Sequence, residues 1–219
     1  MDADPELAAL FAAGAGGARE LTVPVPMRTL ERGDWVPSVQ LRKTLALLVL
    51  DGLILRRGRA EGIELITLFG PADMIDPTES SEGQTWTVRT RATVAALDGH
   101  VVSQARDDPQ LLVALLRRML LTGREHEMVA AIARQTRVNG RLLALMNHYA
   151  GRWGHVTGEG VTIDLPLTHS ELGAMIGARR PTVTIAIAQL AEDGTLRRLE
   201  SGHWLVPAAA GDRAPRFTH

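Results

Sequence analysis

The stretch LTHSELGAMIGARRPTVTIAIAQLAEDG, residues 167–194, decides the fold of the C-terminal part of this chain. Thr168 precedes an apolar-periodic run, and Glu171 follows three residues later, which is the spacing of a capping box at a helix start. Gly177 can end that helix because glycine adopts positive φ without a Cβ penalty. Pro181 fits the first turn of a second helix. The stretch therefore predicts two short helices joined by a tight turn.

The two helices are expected to pack through apolar stripes. Leu172 and Ile176 are four residues apart and share one face of the first helix. An ordinary helical hairpin would show similar stripes, so the stripes alone do not indicate a function. The short turn and the pair Arg179 and Arg180 at the start of the second helix favour a DNA-reading helix-turn-helix. The stripe of the second helix, which is expected to end at Gly194, consists of Val183, Ile187 and Leu190.

The segment after this motif reads as a β-hairpin. Residues 195–206 consist of two short β-like runs separated by Ser201-Gly202, a pair of residues typical of turns. A helix-turn-helix followed by a hairpin predicts a winged helix.

Composition limits the classes of function. The chain has 219 residues, no cysteine and a net charge of −1. Disulfides, thiol catalysis and cysteine-ligated metals are excluded. No apolar run is long enough for a membrane span, and no signal peptide is recognisable, so a cytoplasmic protein is expected. Any affinity for DNA would depend on a local cluster of arginines, namely Arg179, Arg180, Arg197 and Arg198.

The N-terminal half shows short β-like runs, which predict a barrel or a jelly roll. A helix over 4–13 and a glycine-rich linker at 14–18 precede them. Turns are expected at 32–34, at Asp51-Gly52 as a hairpin, at Arg57-Gly58, at 70–73 and at Glu82-Gly83. The predicted strands are 21–25, 27–30, 44–50, 53–57, 63–69, 85–91 and 93–97.

Residues 110–136 read as one long helix with an apolar seam, with Gly123 as its weak point and Thr122 as a possible cap there. The seam would pack on the β-domain, on the same helix of a second subunit, or on both with different faces. A further amphipathic helix is expected over 141–152, followed by Trp153 as a core anchor. The predicted domains are 1–106, 107–137 and 138–219.

With these elements in order, the chain resembles the Crp/Fnr family of bacterial transcription regulators. RLLALMNHYAGRWG from Arg141, the 167–194 motif and the closing hairpin carry the resemblance most strongly. TLERGDWV, LALLVLDGLILRRG and ELITLFGPADMI extend it into the N-terminal half. The resemblance implies an α+β fold: a cupin-like, cyclic-nucleotide-binding-domain-like β-roll sensor, a long dimerisation helix and a C-terminal winged helix-turn-helix. It also implies a homodimer that binds double-stranded DNA with two-fold symmetric sites and contacts RNA polymerase.

The family's cyclic-nucleotide cassette, a Gly-Glu pair followed by Arg and a small residue, is missing after Asp73. Arg91-Ala92 is a nominal match that falls too late, in a strand pattern. A cyclic phosphate needs a fixed positive partner, so a response to cyclic AMP is not expected. No cofactor is predicted and the effector is unknown. Histidine-bound haem is left open by His100 and His126, although their spacing does not support it.

The resemblance assigns the DNA contacts residue by residue. Thr168 and Arg179 would contact phosphates, and Arg180 would read guanine through O6 and N7. Pro181 stands where many members carry a base-reading glutamate, and Ile185 where a second arginine is common. Ile185, Thr182 and Thr184 would offer methyl contacts to thymine. Arg197, Arg198 and His203 on the wing are candidate phosphate contacts, with plain solvation as the alternative.

Other classes of function remain as alternatives. They are a cyclic-nucleotide-responsive regulator, a regulator that binds DNA constitutively and a winged helix that docks proteins. A cupin-like enzyme would need clustered metal ligands, and residues 19–98 contain no histidine. No catalytic residue and no metal site is therefore predicted.

Overall fold

The computed structural model describes residues 25–37, 44–77 and 83–208. The chain divides into two compact units, Met1–Glu125 and His126–His219. The expected helix over 4–13, the linker at 14–18 and most of the expected strand at 21–25 lie outside the described residues.

The first unit contains two four-stranded antiparallel sheets. One has the order β1-β8-β3-β6 and the other β2-β7-β4-β5. The strands are β1 (Met27–Leu30), β2 (Gly33–Trp35), β3 (Thr44–Asp51), β4 (Ile54–Ala60), β5 (Ile63–Phe69), β6 (Met74–Ile75), β7 (Thr85–Val88) and β8 (Ala92–Asp98).

Both sheets contribute to one buried core, as expected for the predicted β-roll. Leu47, Val49 and Val94 come from the first sheet, and Ile54 and Trp86 come from the second. Each of these side chains is at most 4% exposed. Burying this much apolar surface is the main driving force for folding of the unit. The predicted β-roll is confirmed.

The hairpin expected at Asp51-Gly52 is wrong in its pairing. Gly52 does turn the chain with φ of 81°, but β3 pairs with β6 and β8 while β4 pairs with β5 and β7. The backbone N–H of Leu53 donates to Thr90 Oγ1 at 2.8 Å, which directs the chain into the second sheet. A Cβ on Gly52 would come within 2.3 Å of the Arg91 carbonyl oxygen, so this corner requires glycine.

The turn expected at Arg57-Gly58 is also wrong. Both residues lie inside β4, where Gly58 pairs with Leu65 of β5. The actual hairpin turn is Glu61-Gly62, where both residues have positive φ, 51° and 80°. Two central residues with positive φ suit the right-handed twist of the flanking strands.

Two helices follow the sheets. Helix α1 (Gly99–Asp107) was not anticipated, and α2 (Pro109–Ala133) corresponds to the predicted long helix. Gly123 does not interrupt α2, and Thr122 does not cap a second segment. Instead Thr122 is 7% exposed, and its Oγ1 accepts the backbone N–H of Met74 at 3.0 Å, which ties α2 to β6.

The second unit, which includes the C-terminal end of α2, is a winged helix. Its four-stranded sheet has the order β11-β12-β10-β9. Strands β9 and β10 are additional to the predicted hairpin. The remaining elements are α3 (Val138–Trp153), β9 (His155–Thr157), β10 (Gly160–Ile163), α4 (His169–Ile176), α5 (Arg180–Glu192), β11 (Arg197–Arg198) and β12 (Trp204–Pro207).

The core of this unit differs in two places from expectation. Trp153 is only partly buried and stacks on Tyr149 with ring centres 5.0 Å apart. Tyr149 and Trp204, each 1% exposed, are the aromatic anchors. In α5 Ala186, at 1% exposure, is buried together with Val183 and Leu190, whereas Ile187, which was expected in this stripe, is only partly buried. Among the described residues, no helix has the length and apolar character needed to cross a membrane.

Candidate DNA-binding site

Thr168 and Glu171 fix the start of α4 by the predicted capping box. The backbone N–H of Glu171 donates to Thr168 Oγ1 at 3.2 Å, and Glu171 Oε2 accepts the backbone N–H of Thr168 at 2.7 Å. Glu171 is 3% exposed, whereas Thr168 is exposed. The cap therefore holds Thr168 at the surface, at the N-terminus of a helix, where anions are favoured.

The turn between α4 and α5 depends on two glycines. Gly177 is the C-cap of α4 in the left-handed conformation, φ 63° and ψ 44°, and its N–H bonds to the Gly173 carbonyl. The N–H of Ala178 bonds to the same carbonyl at 2.8 Å. A Cβ on Gly173 would lie 2.4 Å from the Ala178 carbonyl oxygen, so the two helices approach closely at this point.

Helix α5 buries one face and exposes the other. Val183, Ala186 and Leu190 face the core. With about 100° per residue around the axis, Arg180, Pro181, Thr184 and Ile185 share the opposite, exposed face. Thr182 lies about 160° from Thr184 around the helix and at the edge of this face. Thr182 and Thr184 are thus separated, and only Thr184 lies beside Ile185 for the expected methyl contacts.

The arginine pair stands at the N-terminus of α5. Arg179 is the N-cap residue and makes no side-chain capping bond, and Arg180 is the first helical residue. Both are exposed. Pro181 in the first turn has no N–H and no polar side-chain atom, so it adds shape without hydrogen bonds. The guanidinium of Arg180 is the main hydrogen-bond donor of this face, and its planar fork suits the O6 and N7 edge of guanine.

His169 is a site residue that sequence reasoning missed. Its Nδ1 lies 2.9 Å from Thr184 Oγ1, which joins the start of α4 to the exposed face of α5. Thr184 Oγ1 also donates to the Arg180 carbonyl at 3.1 Å. The two residues are 15 positions apart, so only the folded motif brings them together. His169 thereby orients the Thr184 side chain on the exposed face of α5.

The wing arginines are exposed but already have partners. Arg197 of β11 forms an ion pair with Glu159 in the turn between β9 and β10, with an N–O distance of 2.5 Å. The guanidinium carbon of Arg198 lies 4.6 Å from the centre of the Trp204 ring. The hairpin turn falls at Ser201-Gly202 as predicted, and His203 beside it is exposed. A phosphate contact by Arg197 would have to compete with a carboxylate.

Arg141 and Asn139, at the start of α3, hold the helix-turn-helix in position. Arg141 donates to the carbonyl oxygens of Ala133 at 3.3 Å and Gly177 at 3.4 Å. These are the C-terminal ends of α2 and α4, where a positive charge is favoured. Asn139 Nδ2 donates to Gln189 Oε1 of α5 at 2.8 Å. One short segment thus contacts both helices of the motif.

Helix α2 leaves a broad apolar surface exposed on the first unit. Leu111 and Leu115 pack against the β-roll, whereas five other large apolar side chains between positions 112 and 120 are 45% to 67% exposed. A groove of about 370 Å³ runs along the same segment, between Val113 and Arg124. We call this surface the α2 apolar face; its members are Leu112, Val113, Leu116, Met119 and Leu120.

No group of three or more His, Asp or Glu side chains suited to a metal ion occurs within 25–37, 44–77 and 83–208. His100 and His126 lie on different helices, α1 and α2.

Comparison with known proteins gives consistent matches. Residues 136–209 match the model of the Crp-like helix-turn-helix domain. A relative from Mycobacterium tuberculosis, described as a CRP-like cAMP-activated global transcriptional regulator, is 30% identical over 142 residues. That alignment covers 61% of this chain and 62% of the relative, so the match spans less than two thirds of that protein.

Solved structures share the fold at lower identity. FixK2 from Bradyrhizobium japonicum aligns with a TM-score of 0.65 and 16% identity, covering 84% of this chain and 93% of that one. A CooA variant from Carboxydothermus hydrogenoformans gives 0.62 and 15%, covering 83% of both chains. A CRP/FNR-family regulator from Thermus thermophilus gives 0.54 and 21%, with 85% and 95% covered.

Residues 136–209 thus form a Crp-like helix-turn-helix domain, and over most of its length the chain has the fold of these solved structures.

Proposed function

We propose that this protein is a sequence-specific DNA-binding transcription regulator that acts as a homodimer. The observation that carries the proposal is the exposed face of α5, with Arg180, Thr184 and Ile185 presented beside the capped N-terminus of α4. A recognition helix with its N-terminal residues exposed is the part of a helix-turn-helix that enters the major groove. RNA polymerase is the further partner that such a regulator would contact.

The sequence preference follows from the same face. Arg180 supplies a bidentate contact to guanine, while Ile185 and Thr184 supply methyl groups for thymine. Thr168, Arg179 and Thr182, at the ends and edge of this surface, contact phosphates. Arg197 and Arg198 on the wing add phosphate contacts after leaving their present partners. The Pro181 side chain can neither accept nor donate a hydrogen bond. The base pair that faces Pro181 is therefore distinguished only by van der Waals contact.

The α2 apolar face supports the homodimer. Five large apolar side chains exposed on one helix exceed what a surface helix leaves in solvent without a partner. Leu112, Leu116, Met119 and Leu120 recur at spacings of three and four, as in helices that pack along their length. The same segment of a second copy is self-complementary in a two-fold arrangement.

We propose that cyclic AMP is not the signal. Arg91, the nominal candidate for a phosphate-binding arginine, is exposed at 73% and pairs with Glu31 outside the core. The relative from Mycobacterium tuberculosis is described as cAMP-activated, and a cyclic-nucleotide-responsive regulator is therefore the second candidate function.

Selection of bound duplexes from a random pool, with and without cyclic AMP, tests the proposal. The expected result is enrichment of a two-fold symmetric site that contains a guanine in each half and does not depend on cyclic AMP. Enrichment only in the presence of cyclic AMP would establish the second candidate function instead. Failure to enrich any duplex would contradict DNA binding and favour a winged helix that docks proteins.

A further inference from the structure

His169 and Thr184 join the two helices of the helix-turn-helix by a side-chain hydrogen bond. His169 is the first residue of α4, and its Nδ1 lies 2.9 Å from Thr184 Oγ1 of α5. The His169 residue is partly buried, whereas Thr184 is exposed on the face of α5 that carries Arg180 and Ile185. A partly buried ring is thus attached to one side chain of the face that would read DNA.

A second contact of the Thr184 hydroxyl determines the direction of this hydrogen bond. Thr184 Oγ1 donates to the backbone carbonyl of Arg180 at 3.1 Å. A hydroxyl has a single proton, so toward His169 it can only accept. The proton of the bond between the helices is therefore on His169 Nδ1. The neutral ring is the Nδ1–H tautomer, because the hydrogen bond made by a ring nitrogen decides where the proton is.

The close packing of α4 and α5 keeps the two side chains within hydrogen-bond distance. A Cβ on Gly173, four residues after His169, would lie 3.4 Å from Val183 Cγ2. Val183, which precedes Thr184, is completely buried. Residues four apart share one face of a helix, so the face of α4 that carries His169 is the one that contacts α5. The hydrogen bond therefore joins two elements that are fixed relative to each other.

The hydrogen bond from His169 fixes the rotamer of Thr184. Threonine in a helix divides between two χ1 rotamers, and one of them allows Oγ1 to bond to the carbonyl four residues earlier. Thr184 adopts that rotamer. An exposed side chain would exchange rapidly between rotamers, and a second hydrogen bond to the same oxygen opposes this exchange. Because Oγ1 and the methyl carbon are attached to the same tetrahedral carbon, the direction of the Thr184 methyl group is fixed as well.

We propose that His169 is a positioning residue for base recognition, which holds the Thr184 methyl group in one direction for contact with the 5-methyl group of a thymine. This inference rests on the proposed function, because it concerns how the exposed face of α5 distinguishes base pairs. The thymine methyl is the apolar group that base pairs present in the major groove. A side chain that is fixed before binding loses less conformational entropy when the complex forms. His169 thereby increases specificity without contacting a base.

A direct phosphate contact by His169 is the competing role. His169 follows Thr168 at the N-terminus of α4, where anions are favoured. The two roles predict different results. A phosphate contact carries no sequence information and strengthens binding to all duplexes alike, whereas a positioning role changes the discrimination at one base pair.

Replacement of single thymines by deoxyuridine in one half of the selected duplex measures the methyl contact, since deoxyuridine lacks only the 5-methyl group. Fluorescence anisotropy with the wild type should show about fourfold weaker binding at the contacted thymine, which corresponds to the burial of one methyl group. Thr184→Ser keeps the hydroxyl and lacks the methyl group. It should lose this discrimination, and the loss identifies the thymine that Thr184 contacts.

Variants of His169 test the positioning role at that thymine. His169→Leu removes the donor at similar volume and should abolish most of the discrimination, because the Thr184 methyl group is no longer held. His169→Asn is the matched control, since its amide nitrogen can donate from nearly the position of Nδ1 and should preserve the discrimination. In the Thr184→Val background, His169→Leu should have no effect on it. Valine carries two methyl groups and has one strongly preferred rotamer in a helix.

Nuclear magnetic resonance of the free protein tests the contact in the absence of DNA. The chain has seven histidines, and the spectrum of His169→Asn identifies the ring signals of His169. The 15N shifts of that ring should show the Nδ1–H tautomer in the wild type. Thr184→Val removes the acceptor and should shift the ring toward the Nε2–H tautomer. Circular dichroism checks that each variant is folded.

Three results would overturn the inference: an Nε2–H tautomer in the wild type, an equal loss of affinity for all duplexes in His169→Leu with unchanged discrimination, or the same effect of His169→Leu with Thr184 and with Thr184→Val. If His169→Leu does not fold, the tautomer and its change in Thr184→Val decide. Failure to select any duplex would contradict the proposed function, and this inference would fall with it. Selected duplexes whose thymine methyl groups are recognised independently of His169 would contradict this inference alone.

Discussion

At the residue scale, the hydrogen-bonding capacity of the exposed face of α5 is concentrated in Arg180. It stands at the first position of α5, exposed and next to Pro181, which offers no hydrogen bond of its own. The face contains no second charged side chain between Arg180 and Ile185. Discrimination between base pairs should therefore depend on one bidentate contact and on methyl packing, and not on several redundant hydrogen bonds.

Arg180→Ala should weaken binding to the selected site by about 1–3 kcal/mol and relax the preference at one base position in each half. The reason is the loss of the contact to guanine O6 and N7. Fluorescence anisotropy with single-base variants of the site measures both effects. Arg179→Ala is the matched control, because a phosphate contact should weaken all duplexes alike. An unchanged base preference in Arg180→Ala would contradict the base-reading role.

Gly173 is decisive for the turn even though it is buried and has no side chain. Gly173→Ala should destabilise the second unit by about 1–3 kcal/mol, because the new Cβ would clash with a backbone carbonyl that cannot move independently. Denaturant unfolding monitored by tryptophan fluorescence measures the loss. Gly140→Ala is the control: a Cβ there meets only Gln135 Oε1 at 3.5 Å, and alanine favours a helix by about 0.5–1 kcal/mol. Equal stability of both variants would show that the close approach is unimportant.

At the element scale, Arg141 joins the ends of two helices. Its guanidinium donates to the Ala133 carbonyl at the C-terminal end of α2 and to the Gly177 carbonyl that follows α4, so it ties the turn of the helix-turn-helix to the last residues of α2. Both acceptors lie at helix C-termini, where the negative end of the dipole strengthens the contact.

Arg141→Met keeps much of the aliphatic volume and removes the charged donor. We expect a loss of about 1–2 kcal/mol in unfolding free energy, because two carbonyls lose a charged partner. DNA affinity should fall further than stability alone explains, since the reader is no longer held in one orientation. Comparison of anisotropy and denaturation curves checks this, with Arg152→Met at the other end of α3 as the control. A variant with full DNA affinity would show that Arg141 has only a structural role.

The elements that the sequence predicted well are those with local signals. The capping box of Thr168 and Glu171, the glycine stop at Gly177 and the apolar stripe of α4 all lie within ten residues, and the structure shows each of them. The helix predicted over 141–152, which the structure extends to Val138–Trp153, and the strand 27–30 have equally local patterns. Such patterns predict the structure correctly because the interactions that form these elements join residues that are close together in the sequence.

The wrong predictions concern residues whose conformation depends on a contact with a residue distant in the sequence. Asp51-Gly52 has the local chemistry of a hairpin, but Thr90 and Arg91, nearly forty residues away, direct the chain to the other sheet. Thr122 has the side chain of a helix cap, but its Oγ1 accepts a hydrogen bond from the backbone N–H of Met74 instead. In the site, the contact of His169 with Thr184, 15 positions apart, forms only when the two helices pack together, and no local sequence pattern predicts it.

At the scale of the whole molecule, the proposed dimer determines the form of the DNA site. Two copies joined through the α2 apolar face would place two recognition helices in successive major grooves, with half-sites about one helical turn, roughly 34 Å, apart. Footprinting on the selected duplex should show two protected halves at this spacing. Insertion of five base pairs between the halves should abolish tight binding, because one half-site then faces the opposite side of the duplex.

Leu120→Arg should produce a monomer, since it places a charge in the α2 apolar face where the side chain is now 67% exposed. Sedimentation velocity measures the mass, and circular dichroism should be unchanged because the side chain does not support the fold of one copy. Arg106→Leu on α1 is a control that alters an exposed residue elsewhere. A Leu120→Arg protein that remains dimeric would place the subunit contact on another surface.

The ion pair between Arg197 and Glu159 affects how such a regulator would search a genome. Attraction to random DNA comes from cations that displace counterions along the backbone. Here one wing arginine is matched by a carboxylate, the other lies against Trp204, and the chain as a whole carries a net charge of −1. The protein would therefore bind non-specific DNA weakly. Occupancy of its specific site would then depend more on base contacts than on non-specific association with the surrounding duplex.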